Sequence, residues 1–133
     1  MTQEEKDLLL RDISARLPYG VKGRVTSRDC NNRECEFVAT IDGKLYDRFA
    51  VYQESWFDNV TIKPYLFPLS SMTEEQKQEL YHLVEETAFQ IIHSEDGSPQ
   101  PHIAMDWYNK NHFDYRGLIE EGLVLNATGL NIY

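Results

Sequence analysis

Cys35-Glu36-Phe37-Val38-Ala39-Thr40-Ile41-Asp42-Gly43-Lys44-Leu45-Tyr46-Asp47-Arg48-Phe49-Ala50-Val51-Tyr52 is the stretch whose reading decides the fold. Residues 35–41 alternate apolar and polar, which puts Phe37, Ala39 and Ile41 on one face of a strand. Asp42-Gly43 is a hairpin signal, because both residue types tolerate positive φ. Leu45, Phe49 and Val51 then share one face, with Tyr46, Arg48 and Tyr52 on the other. A two-residue loop sets Phe37 opposite Arg48. A three-residue loop sets it opposite Phe49 and unites the apolar faces, so the longer loop is expected. Upstream, Val21–Ser27 alternates too, with Lys22, Arg24 and Thr26 facing away from Val21 and Val25. Arg28–Glu34, centred on Asn31-Asn32, reads as the turn between two strands.

Helices flank this β region. Residues 2–16 form the first, with Thr2 and Glu5 at capping-box spacing and Leu9, Leu10, Ile13 and Leu17 as its apolar stripe. Pro18 and Gly20 end it. Gln53–Asn59 is a loop holding Trp56-Phe57, Val60–Lys63 a short strand, and Pro64 and Pro68 bracket an apolar connector. Residues 74–93 are the clearest helix: Thr73 and Gln76 repeat the capping-box spacing, and Leu80, Leu83, Val84, Thr87, Ala88 and Ile91 make a continuous stripe. Ser94–Pro101 is a loop. Asp106 is placed to cap a short helix to His112, and Asp114 a turn or two ending near Gly122. Trp56, Trp107, Phe113 and Tyr115 belong to the core or its rim. The expectation is one α+β domain over residues 1–133. It comprises an N-terminal helix, an antiparallel β-meander that an SH3-like small barrel would close, a long amphipathic helix and short C-terminal helices.

The chain has 133 residues with 13 Lys and Arg against 22 Asp and Glu, a net charge of −9. At 41% hydrophobic and 12% aromatic residues it is no disordered chain. No apolar run reaches membrane-spanning length, and the opening residues are not those of a secretory signal, so a cytoplasmic protein without membrane contact is expected. The charge is uneven. Residues 73–100 hold seven acids and only Lys77, whereas residues 17–52 hold six bases and five acids. An acidic chain is no general binder of duplex DNA, but the two regions define two distinct surfaces.

Three constellations carry candidate chemistry. The helix face bearing Glu75, Glu79 and Glu86 is a candidate for binding a basic partner protein. Lys22, Arg24, Tyr46, Arg48 and Tyr52 would share the open face of the sheet, an arrangement that single-strand nucleic-acid binders use to stack bases and hold phosphates. The third is His102, Asp106, His112, Asp114, Arg116 and Glu120, where histidines, acids and aromatics gather and a metal-dependent hydrolase is conceivable. Against it, Asp106 and Asp114 have a simpler role as caps. Glu79 and His82 have di-iron spacing but no second copy, and Cys30 and Cys35 cannot by themselves make a zinc site. With no phosphate loop or nucleophile elbow either, no cofactor or metal is expected.

Three runs resemble a family of small proteins encoded in gut-bacterial genomes, prophages and mobile elements. They are Leu8–Asp12 with Ala15–Lys22, Ile62–Thr73, and Asn111–Leu123 continuing through Asn126–Tyr133. The resemblance implies a bacterial cytoplasmic setting and brings no activity or site residues. Residues and resemblance together lead to the expectation of a non-enzymatic protein that binds a host or phage protein. Single-stranded nucleic acid is the alternative ligand.

Overall fold

The computed structural model describes residues 1–27, 32–48, 50–53, 61–93 and 102–133; for residues 53, 87–93, 102 and 103 it describes the backbone alone. The hairpin that decides the fold is present, but its register is solved differently from the expectation. Strands β2 (Arg33–Ile41) and β3 (Lys44–Asp47) pair Ile41 with Lys44, so the loop has two residues, not three. Asp42 and Gly43 both take positive φ, 52° and 72°, as the tight primed turn requires. The register then slips between Phe37 and Ala39, leaving Val38 as the extra residue of a β-bulge. Phe37 therefore faces Asp47 rather than Phe49. Beyond the bulge the alternation inverts, so Ile41 is 55% exposed and does not share the buried face of Phe37.

The chain bends after Asp47 and returns as β4 (Val51–Gln53), which pairs Leu45 with Tyr52. Tyr52 is thereby carried to the core side and is 7% exposed, a correction to its expected place beside Tyr46 and Arg48. Phe49 and Trp56 lie outside the described residues. β1 (Lys22–Thr26) completes the antiparallel meander β1-β2-β3-β4. The expected connector around Pro64 is instead part of a long strand, β5 (Thr61–Pro68), which runs antiparallel to β1 on the side away from β2. Pro64 and Leu66 are buried, as is Tyr65 between them. Two short strands, β6 (Phe113–Asp114) and β7 (Leu125–Asn126), add to β5 in parallel. The described strands form an open mixed sheet in the order β4-β3-β2-β1-β5-β6, with β7 also on β5. The α+β class holds.

Helix α1 (Gln3–Arg16) has the expected capping box, with Thr2 Oγ1 accepting the Glu5 N–H and the Glu5 carboxylate accepting the Thr2 N–H. Those hydrogen bonds hold the Glu5 carboxyl below its ordinary pKa. Its Leu9 and Ile13 pack on the sheet with Val21, Val25, Phe37, Leu45, Ile62 and Leu66. Gly23 is what lets Phe37 lie flat here: a Cβ at that position would stand 2.6 Å from Phe37 Cε2 and 2.9 Å from the Lys63 carbonyl oxygen.

The long helix α2 (Glu74–His93) carries its expected capping box at Thr73 and Gln76. It packs against α3 (His102–Lys110). Because α3 already starts at His102, Asp106 lies inside the helix, exposed, and caps nothing. Asp114 does cap, accepting the N–H groups of Leu118 and Ile119 at 3.0 and 2.9 Å. The turns that follow bring Leu118, Leu123 and Val124 into the core. Trp107 and Phe113 are buried and stack at 5.6 Å, and Tyr108 stacks on Tyr115 at the rim. Among the described residues no helix is long and apolar enough to cross a membrane.

Candidate functional surfaces

Alternation along β1 and its register with β2 and β5 set one row of side chains on the face away from α1. Lys22, Arg24 and Thr26 come from β1, Glu34 and Glu36 from β2, and Thr61, Lys63 and Tyr65 from β5. Arg24 pairs with Glu34 at 3.0 Å and its guanidinium lies 5.8 Å from the Tyr65 ring centre. The Tyr65 hydroxyl donates to the same Glu34 carboxylate at 2.8 Å. Bonding to Glu34 raises the Arg24 pKa; burial first and Glu34 second raise that of Tyr65. Tyr46, opposite Ala39, and exposed Arg48 continue this face, and Arg48 reaches Glu36 at 3.3 Å. So four of the five residues proposed for nucleic acid share the open face, and the fifth, Tyr52, does not. Both arginines are already held by glutamates, and Lys22 Nζ donates to the Ile132 carbonyl.

This face carries two depressions that meet at Arg24. The larger, about 520 Å³, lies between Lys22, Glu34, Glu36, Tyr65, Leu130 and Ile132. The smaller, about 160 Å³, is walled by Arg24, Thr26, Asn32, Thr61, Lys63 and Leu125. Cys35, behind the larger one, is a half-buried free thiol whose pKa burial pushes up to about 12, so it is no nucleophile at neutral pH.

The second surface is α2. Glu75, Glu79 and Glu86 are all exposed, as are Glu74 and Glu85. Tyr81 is 61% and Val84 49% exposed, and from Glu74 to Glu86 no residue is buried. His82 is exposed too, with Nδ1 3.9 Å from Glu85, on the solvated acidic face.

The described side chains of the third constellation do not come together. The His102 side chain lies outside the described residues. Asp106 and Glu120 are exposed, Asp114 is engaged by backbone N–H groups, and Arg116 turns to Asp12. His112 is buried with its ring 3.5 Å from that of Tyr133 and nearly parallel to it. Burial, and then the charges of Arg16 and Lys22, bring its pKa down to about 4. Among the described residues no three His, Cys, Asp or Glu side chains stand together as metal ligands would.

Sequence reading missed two polar assemblies. Asp12 and Arg16, both fully buried, pair at 2.9 Å on the inner face of α1, and Arg116 joins Asp12 at 3.1 Å. Arg16 also donates to the Phe113 carbonyl at 2.7 Å, and Arg16 and Arg116 both lie over Tyr115. The spacing Asp12…Arg16 was the available signal, but in a helix it is more commonly a surface pair. The second assembly surrounds Asp47, 5% exposed, whose carboxylate accepts from Arg33, Tyr52 and the Ala50 N–H. Tyr133 was missed as well. Its hydroxyl accepts the Lys22 N–H at 2.9 Å and faces the Tyr65 carbonyl at 2.9 Å, clasping β1 to β5; burial pushes its pKa up to about 12.

No protein-family model, curated protein or solved structure matches the chain.

Proposed function

We propose that this chain is a protein-binding module of phage or mobile-element origin, working in a bacterial cytoplasm, and that α2 is the element it presents. One observation carries the reading: over its first thirteen residues α2 has no fully buried side chain, Leu80 and Leu83 of its stripe being half-buried and Val84, with Tyr81 beside it, exposed. A helix that leaves an apolar stripe to solvent is suited to lie in a partner's groove, where tyrosine and aliphatic side chains supply most of the binding energy. The stripe is bordered by Glu74, Glu75, Glu79, Glu85 and Glu86 against the single Lys77. A second copy of the chain would bring these charges face to face. An apolar groove rimmed by Lys and Arg matches them, so the partner is a protein with such a groove.

The test is a photo-crosslinking residue at position 81 in bacterial cells, with Lys44, at the far end of the hairpin, as the control position. Capture of a basic-surfaced protein at 81 alone is expected. The purified complex should weaken with salt, and by about tenfold or more in the double substitution Glu79→Lys, Glu86→Lys. Capture insensitive to those substitutions, no capture at low or moderate salt, or a crosslink to a second copy would overturn the proposal.

A further inference from the structure

The smaller depression on the open sheet face is lined by basic, hydroxyl and amide side chains. Its polar walls are two cross-strand pairs of β1 and β5, Arg24 with Lys63 and Thr26 with Thr61, and the side chain of Asn32. No acidic residue lines it among the described residues. Thr26 Oγ1 donates to Asn32 Oδ1 at 2.7 Å, which occupies the amide oxygen and leaves the amide NH2 as donor. Lys63 is half-buried and, among the described residues, enters no ion pair, whereas Arg24 and Arg48 do. Among the described residues no carboxylate pairs with its ammonium, which shares the depression with amide and hydroxyl groups. The volume of about 160 Å³ equals that of about five waters, room for one tetrahedral oxyanion.

Across Arg24 the chemistry changes sign. The larger depression offers the carboxylates of Glu34 and Glu36 as acceptors, and Leu130 and Ile132 as apolar walls. An anionic head on the Lys63 side therefore needs a body that carries hydrogen-bond donors and some apolar surface on the other. A nucleic-acid strand fits this poorly: Tyr65 is 1% exposed and offers no stacking face, and Glu34 and Glu36 would oppose the next phosphate.

We infer that β1 and β5 form a binding site for a small phosphate monoester whose body bears hydroxyl or amino groups, the phosphate held by Lys63, Arg24, Asn32 and Thr61 and the body lying against Glu34 and Glu36. Terminal oxyanion oxygens take charge-assisted hydrogen bonds from such a donor set. This site is independent of α2.

The test is a titration of the full chain followed by backbone amide NMR. The probes are adenosine 5′-monophosphate, ribose 5-phosphate, inorganic phosphate, adenosine and a mixed-sequence single-stranded oligonucleotide. Saturable shifts at the amides of Arg24, Thr26, Thr61 and Lys63 are expected with the two monoesters, weaker ones with inorganic phosphate, and none with adenosine. Lys63→Gln should weaken binding by about tenfold or more; Thr61→Val should weaken it less, and Lys44→Gln not at all. An unchanged melting temperature verifies that the variants are folded. Three results would overturn the proposal: no saturable shift with either monoester, shifts that survive Lys63→Gln, or tighter and steeply salt-dependent binding of the oligonucleotide. The last would assign the face to single-stranded nucleic acid.

Discussion

Helices α1 and α2 begin alike, each with a capping box, and each carries leucines at helical spacing. Their fates differ. α1 buries Leu9 and Ile13, and with them the charged Asp12 and Arg16 and most of Lys6. α2 leaves Tyr81 and Val84 in solvent. What separates them is the neighbour, not the pattern. α1 lies on a sheet whose inner face is continuous from β3 to β5, so every residue on that side of the helix is covered. The charged ones are tolerated because Arg116 and the Phe113 carbonyl complete their bonding. Among the described residues α2 packs chiefly against α3, and this contact leaves Tyr81 and Val84 exposed.

The contrast is testable by substitution, and the largest effect should come from Asp12. Asp12→Ala leaves Arg16 buried without its carboxylate and releases Arg116, and is expected to cost about 3–5 kcal/mol in denaturant unfolding. A loss below about 1 kcal/mol would mean that water reaches this pair and that α1 is no more buried than α2.

Next comes acid. His112 is held near pKa 4 in the folded chain against 6.5 as a free side chain. Above pH 6.5 neither state binds the proton and stability is whole. Between pH 6.5 and 4 the unfolded chain alone takes it up, so stability falls as the pH falls, by about 3 kcal/mol in all. Unfolding free energies measured at pH 7.5 and 4.5 should show that slope. His112→Asn, which keeps a residue suited to the positive φ of 61° there, should flatten it. An equal slope in the variant would place the titration elsewhere.

Tyr133→Phe removes a hydroxyl that serves both β1 and β5 and leaves the ring stacked, so a loss of about 1–2 kcal/mol is expected, read from a denaturant midpoint at constant slope. Smallest of all should be Tyr81→Ser and Val84→Ser on α2, within about 0.5 kcal/mol of the parent in thermal unfolding. If either costs as much as a core substitution, α2 is covered in the free chain and cannot be the presented element.

How far the sequence reached follows the same division between local and tertiary causes. Both capping boxes and the Asp42-Gly43 turn were legible, because a turn or cap needs only neighbours in the chain. The hairpin register was not. Matching Phe37 to Phe49 maximised apolar pairing, but the bulge at Val38 gave a tight two-residue turn and set Asp47 opposite Phe37, where Arg33 and Tyr52 satisfy it. Pro64 suggested a break, yet a proline fits a strand wherever its missing N–H is not needed. The open sheet face was half legible: β1 alternation gave Lys22 and Arg24, but Lys63 and Tyr65 joined them only once β5 was known to lie beside β1. The α2 acids lie at the surface, as their spacing suggested. Among the described side chains, the C-terminal histidine and acids share a stretch of sequence without sharing a site.

The placement of β5 also has a consequence in time. One side of this strand can be paired by β1 once residue 68 has left the ribosome, but its other side waits for residues 113–126. At ordinary rates of synthesis the 44 residues between Pro68 and Phe113 take roughly 2–9 s on the ribosome. For that interval the nascent chain presents an open strand flank rich in Tyr65, Leu66 and Phe67. Lys63 and Pro64, residue types that discourage edge-to-edge pairing, stand in the same strand. Crowded polysomes rather than the finished protein are where their value would be felt.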